Sequence, residues 1–255
     1  MDNKNFKTVK IKGGIGNQLF QYAFALFLKR EFDTNINLEI SWYSKQSYRK
    51  FELNNLLADN IFELIDHTPS FFHKILNKSY LSEKSISYLL KKKYFLPFNF
   101  YDGYWQDIFF ANFLRDKKLF KSEIFKKKIC EDYYVIHLRR GDFKNSKAHI
   151  VLTDEYYLNY IKVFKDKKIY IISQEEEDAI ILKDKIKLDI EYFKCNDLEA
   201  FGIIYNAIGG IASNSTFCWW SIFLSECRNW LMPYQWLNKR NIIDSKLAIP
   251  KTILI

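Results

Sequence analysis

From Tyr133 onward, short runs rich in β-branched and aromatic residues alternate with stretches of helical spacing. Tyr133–Leu138, Lys168–Ile172, Leu188–Phe193, Gly209–Ala212 and Trp230–Met232 read as strands. Thr153–Phe164, Glu175–Lys183, Asp197–Ala207 and Thr216–Cys227 read as the helices between them. Near-continuous apolar strands separated by helices must bury both strand faces. That pattern belongs to a parallel sheet covered by helices, an α/β architecture. Capping signals agree: Thr153 stands as an N-cap with Asp154 and Glu155 in the first turn, and Asp197 as the N-cap of the third helix.

The first half opens the same way. Phe6–Lys12 alternates like a strand, Gly13-Gly14-Ile15-Gly16 makes a tight turn, and Asn17–Glu31 is a helix apolar on most faces. Asn35–Ile40 reads as a second strand. From Ser41 to Asn99 the periodicity weakens, with short helical patterns near Leu53–Ala58 and Phe71–Leu76 and a longer one at Ser82–Lys92. No Pro/Gly/Ser-rich linker separates the halves. The boundary is placed at the Lys126–Lys128 run, giving an N-terminal domain over 1–128 and a C-terminal domain over 129–255.

Composition narrows the function. A formal charge of +9 suggests nucleic acid, but only seven of the 39 basic residues are Arg and the Lys residues are spread along the chain. No nucleic-acid partner is therefore expected. Cys130, Cys195, Cys218 and Cys227 have no CxxC or zinc-like spacing, so they read as reduced thiols and no metal site is expected. The apolar stretch Leu19–Leu28 is too short to span a bilayer, and Phe201–Leu224 is interrupted by Asn206 and by Ser213–Thr216. With a polar N-terminus, these readings point to the cytoplasm. Lys clusters would allow peripheral contact with the inner membrane if the substrate is lipid-linked.

Against this scarcity of Arg, one adjacent pair stands out. The strand Tyr134-Val135-Ile136-His137-Leu138 runs directly into Arg139-Arg140-Gly141-Asp142. Ligands of open α/β sheets sit beyond the carboxyl ends of strands. Guanidinium groups there bind phosphate oxygens bidentately and could stabilise a departing pyrophosphate without a metal. A structural Arg–Asp ion pair is the competing account. Two further segments have suitable chemistry. Gly13–Gln18 brings a glycine turn to a helix start, where bare N–H groups attract anions and Asn17 and Gln18 add polar groups. Ser213-Asn214-Ser215-Thr216 puts polar groups between a strand end and a helix start, for phosphate contacts or for ordinary capping. Trp219 and Trp220 read as core.

Together these segments resemble the bacterial α-1,2-fucosyltransferases of glycosyltransferase family 11. Gly13–Ala23 is similar to that family's GG-x-GNQ-x-FQYA pattern, His137–Asp142 to H-x-RRGD, and Asn214–Trp220 to NSSFSWW. Gly103–Gln106, Tyr156-Tyr157, Pro233 and Trp236 add weaker matches in family order. The resemblance implies a GT-B type fold of two Rossmann-like domains with a cleft between them. The N-terminal domain would face the acceptor and the C-terminal domain would bind GDP-fucose. It implies an inverting transfer of fucose to a galactoside of a surface glycan such as lipopolysaccharide, with no metal or other cofactor. By position, Arg139 and Arg140 would grip the pyrophosphate beside His137. Gly14, Gly16, Asn17, Gln18, Ser213, Asn214 and Ser215 would line the donor, and Asp197 would meet guanine or ribose. One departure is clear: where the family often shows Ser-Asp-Asp, this chain has Ser173-Gln174-Glu175.

An inverting transfer needs a proton acceptor unless departure runs ahead of attack, and Asp142 and His149 are the candidates. Three other classes remain in view: a degenerate, non-catalytic nucleotide-sugar or carbohydrate binder, a Rossmann oxidoreductase, and a nucleic-acid binder. The glycine turn lacks dinucleotide spacing, which argues against the second.

Overall fold

The computed structural model describes residues 6–46, 48–67, 81–164, 166–227, 229–237, 247–250 and 252–255. The chain divides between Phe120 and Lys121 into two compact units. Each is a parallel α/β layer of the Rossmann-like kind.

In the first unit β1 (Phe6–Lys10) leads through the glycine turn into α1 (Ile15–Phe32), then β2 (Asn35–Glu39), α2 (Leu53–Leu56) and β3 (Glu63–Ile65). After α3 (Glu83–Lys91) come β4 (Phe100–Tyr101) and α4 (Ile108–Ala111). The sheet order is β3-β2-β1-β4, all parallel. Gly13 takes φ +81°, in the left-handed region, which turns the chain sharply from β1 into α1. α1 is buried from Ile15 through Leu28 apart from Asn17, as its all-round apolar sequence requires. Phe24 stacks on Trp105 at 4.0 Å and meets Tyr101 and Phe110 edge-on, so the aromatic content of this unit mostly fills its core. The expected helix at Phe71–Leu76 lies outside the described residues.

In the second unit the elements are β5 (Tyr133–Leu138), α5 (Asp154–Tyr160), β6 (Lys168–Ser173), α6 (Glu176–Lys185) and β7 (Ile190–Tyr192). They continue with α7 (Asp197–Asn206), β8 (Gly210–Ile211), α8 (Thr216–Leu224), β9 (Trp230–Met232) and β10 (Ile253–Leu254). The sheet order is β10-β9-β8-β5-β6-β7, again parallel throughout. Order reverses at β5, with β8 on one side and β6 on the other. Such a switch point is where crevices open beyond strand ends. Gly210, at φ +154°, has no room for a side chain: a Cβ would sit 1.9 Å from the Val135 carbonyl oxygen.

Two local expectations are corrected. The units divide before the Lys126–Lys128 run, because Asn206 of α7 donates to the Phe125 and Lys126 carbonyls and holds that stretch in the second unit. Asp197 is the first helical residue of α7 and not its cap. Asn196 is the N-cap, in a capping box with Glu199: its side chain accepts from Glu199 N at 3.0 Å and its N–H donates to Glu199 Oε2 at 3.1 Å.

Candidate active site

The carboxyl end of β5 and the turn after it carry four polar residues, His137, Arg139, Arg140 and Asp142, and each has a different role. His137, the penultimate strand residue, is buried, and its Nδ1 is 2.6 Å from Ser213 Oγ. This bond ties β5 to the segment that leaves β8. Burial, with the nearby Arg139 charge, pushes the imidazole down to about 3, so the ring is neutral at physiological pH and unsuited to taking up a proton.

The two arginines diverge. Arg140 turns inward. Its Nε donates to the Leu152 carbonyl at 3.1 Å, its Nη2 meets Asp154 Oδ1 at 2.6 Å, and its guanidinium lies over Tyr157 at 5.9 Å. Burial pushes the Asp154 carboxyl up, but Lys185 and Arg140 outweigh this and hold it below the usual carboxylate range. Arg140 thus fastens the turn after β5 to the start of α5. Arg139 sits at the site's edge. It donates to Gln174 Oε1 and meets Asp142 Oδ1 at 2.6 Å, with Phe143 5.5 Å beneath it. Gln174 in turn donates to Asp197 Oδ1 at 3.0 Å, so one chain of hydrogen bonds links the ends of β5 and β6 and the start of α7.

Asp142 is the open member of the group, with half of its side chain exposed. His149 stacks on Phe143 at 4.2 Å and shares a 2.8 Å hydrogen bond with Ser146. Burial lowers its pKa; Asp142 opposes this and Arg139 adds to it. On the other side of β5, Asn214 donates to the Ile150 and Trp236 carbonyls, which fixes two loops around the site. Ser215 is the N-cap of α8 without a side-chain capping bond. Trp219 and Trp220 are core, as expected, and Trp219 Nε1 donates to the Leu247 carbonyl.

The glycine-turn residues expected at the donor have other duties. Gly14 is the N-cap of α1, and Gly16 is buried in its first turn. Gln18 is fully buried: its amide donates to the Gly13 and Lys50 carbonyls and its oxygen accepts from Glu52 N. That leaves Gln18 no accessible polar atom for a ligand. Asn17 is half-buried and accepts from Gln106 at 2.8 Å. Gln174 was missed as a site residue. Its place directly after an apolar strand of a parallel sheet was the signal that could have found it.

No family model matches the chain. It is similar to an O-antigen biosynthesis glycosyltransferase, WbnK, of Escherichia coli, at 28% identity with 95% of this chain and 98% of that protein covered. It is also similar to an alpha-1,2-colitosyltransferase of Escherichia coli, at 26% identity over 85% of this chain and 87% of that one. Among solved structures it resembles the fucosyltransferase NodZ from Bradyrhizobium, with a TM-score of 0.60, 11% identity, and 88% and 94% of the two chains covered. NodZ soaked with GDP-fucose matches with a TM-score of 0.58. Fold, strand-end chemistry and relatives point the same way: the chain is similar to glycosyltransferases of O-antigen biosynthesis, and its α/β fold is of the GT-B type shared with NodZ.

Proposed function

We propose that the chain transfers fucose, or a closely related deoxysugar, from its GDP-linked form to a galactoside of a surface glycan, with inversion and without a metal. The observation that carries this reading is Arg139. A guanidinium stands at the carboxyl edge of a parallel sheet, held on two sides by Gln174 and Asp142 beside the buried His137–Ser213 tie. The relatives named for O-antigen biosynthesis and colitosyl transfer, and the fold shared with a fucosyltransferase soaked with GDP-fucose, support the donor class.

Charge accumulates on the β-phosphate oxygens as the glycosidic C–O bond breaks. Arg139 meets that charge with guanidinium N–H donors that Gln174 helps to position. Phosphate competes with Asp142 for the guanidinium. When it wins, the Asp142 carboxylate is released from its ion pair and faces the acceptor. Asp142 then takes the acceptor hydroxyl's proton. Arg140 keeps the turn rigid, His137 and Ser213 hold the adjoining strand ends, and Asp197 meets the nucleoside from the start of α7.

Thermal stabilisation by GDP, GDP-fucose, UDP, CMP and NAD, each with and without EDTA, tests the reading. A ligand at a hundred times its Kd adds about 2.7 kcal/mol. The expected result is stabilisation by the two guanosine compounds alone, unchanged by EDTA. A response to UDP or NAD instead, or one abolished by EDTA, overturns the donor assignment.

A further inference from the structure

The first unit exposes aromatic side chains on loops that are held unusually firmly. Tyr48 is 73% exposed and Tyr104 42% exposed, although burying rings is a main source of stability elsewhere in this unit. Both follow the carboxyl edge of the sheet, on the segments after β2 and β4. Tyr48 belongs to an aromatic group: Trp42 lies 6.0 Å from it and 5.0 Å from Tyr43, both edge-on. The Tyr43 hydroxyl donates to the Gly13 carbonyl at 3.0 Å, which pins the group to the glycine turn. Tyr104 reaches the same turn: Lys12, next to Gly13, has its Nζ over the Tyr104 ring, and Gln21 joins Lys12 N to the Gly103 carbonyl.

The polar side chains around these loops go into holding them. Gln46 closes a small ring on Arg49, donating to its carbonyl and accepting from its N–H, so that Tyr48 projects from the tip. Gln18, fully buried, holds the next residues through Lys50 and Glu52. For the second loop, the Glu83 carboxylate accepts from both Tyr104 N and Trp105 N. Gln21, also fully buried, donates to the Gly103 carbonyl and accepts from Lys12 N. Burying an amide is unfavourable unless its bonds are met. Here two of them are met by loops that present exposed rings. The rings have charged neighbours suited to hydroxyl groups. Lys12 Nζ lies 4.9 Å over Tyr104, and the Arg49 guanidinium passes within 3.6 Å of where a Gly14 side chain would begin.

We propose that Trp42, Tyr48 and Tyr104 form the platform that receives a hexose of the acceptor glycan. The rings of Trp42 and Tyr48, and the face of Tyr104 that Lys12 leaves uncovered, would pack on the sugar's C–H face, and Lys12, already paired with Asp102, and Arg49 would donate to its hydroxyls. An aromatic face flanked by fixed donors suits a pyranose, which has one apolar face and a polar rim. The assignment rests on the glycosyl-transfer reading, but it concerns the acceptor and not the donor.

The test is an array of defined galactose-terminated oligosaccharides, probed with the wild-type protein, Y48A, Y104A, the double variant, Y48F and Y104F. Y88A, which removes an exposed tyrosine on α3, serves as the control. GDP stabilisation is measured on every variant. The expected result is that the double variant binds its best glycan about tenfold more weakly and each single variant about threefold, while the Phe variants and Y88A bind like wild type. GDP stabilisation stays the same throughout. A double variant that binds glycans like wild type overturns the platform, and so does a wild-type protein that binds GDP but no glycan. Loss of GDP stabilisation in the wild type would instead strike the donor reading, and the array would still judge the platform.

Discussion

The start of α1 and the end of β5 lie at the carboxyl edges of two sheets of the same kind, yet they use polar side chains in opposite ways. At α1 the amides of Gln18 and Gln21 are fully buried and complete the backbone of neighbouring loops. At β5 one arginine, Arg140, is consumed in the same manner. The next-door Arg139, whose side chain is almost as little exposed, is held instead by the side chains of Gln174 and Asp142. Neighbouring identical residues at a sheet edge can therefore divide between backbone partners and side-chain partners. What separates them is whether the partner is a buried backbone group or an exposed side chain.

The sharpest way to break this comparison is to treat the two arginines alike. Arg140→Ala strands the Leu152 carbonyl and takes one of two cationic partners from Asp154, which keeps Lys185, and it should lower stability by about 3 kcal/mol. Chemical denaturation reads this directly. Arg139→Ala should leave the denaturation midpoint nearly unchanged and reduce kcat by about a hundredfold to a thousandfold, as loss of a donor to a developing oxyanion does. If both variants lose stability and neither loses turnover as folded protein, the division of labour is wrong. On the α1 side, Gln18→Ala strands the Lys50 carbonyl and the Glu52 N–H, and it should lower stability by about 1–3 kcal/mol. GDP affinity of the folded fraction should not change. A weakened GDP response from a fully folded Gln18→Ala protein would place that glutamine at the donor after all.

Much of the second unit could be read from sequence because its strands are apolar, bounded and long enough to show a period. Tyr133–Leu138 and Trp230–Met232 have the same limits in the sequence and in the structure. The first unit was less legible for physical reasons. β4 has two residues, Phe100 and Tyr101, too few to carry any period. Lys7 defeats the alternation of β1: it is buried, with its ammonium held by the Leu96 and Phe98 carbonyls, because this strand is covered on both faces. Of the site, the strand-end arginines were visible in the sequence, but their opposite directions were not. Leu152, Asp154 and Gln174, which decide those directions, come from elsewhere in the chain, Asp154 from the start of α5.

The smallest effect at neutral pH concerns His137, which ties β5 to the segment after β8 as Gln18 ties the loops beside α1. Its imidazole is neutral in the folded state down to about pH 3, whereas in the unfolded chain it takes a proton near the ordinary histidine value of about 6.5. Below about pH 6.5 the unfolded state therefore binds one more proton than the folded state. Stability contributed by the neutral, Ser213-bonded ring is complete above that value and is lost as pH falls toward about 3. The slope is up to about 1.4 kcal/mol per pH unit. His137→Asn keeps a group able to bond Ser213 but cannot titrate. Urea midpoints for the two proteins at pH 7, 6, 5 and 4 should lie close together at pH 7, with the wild type falling away from the variant at each lower step. Acid effects on the carboxylates are common to both proteins and cancel in the difference. A constant difference across the series would mean that the folded protein lets the ring protonate. The tie between β5 and the segment after β8 would then be a contact the site can open, and the scaffold role given to His137 would pass to Arg140 alone.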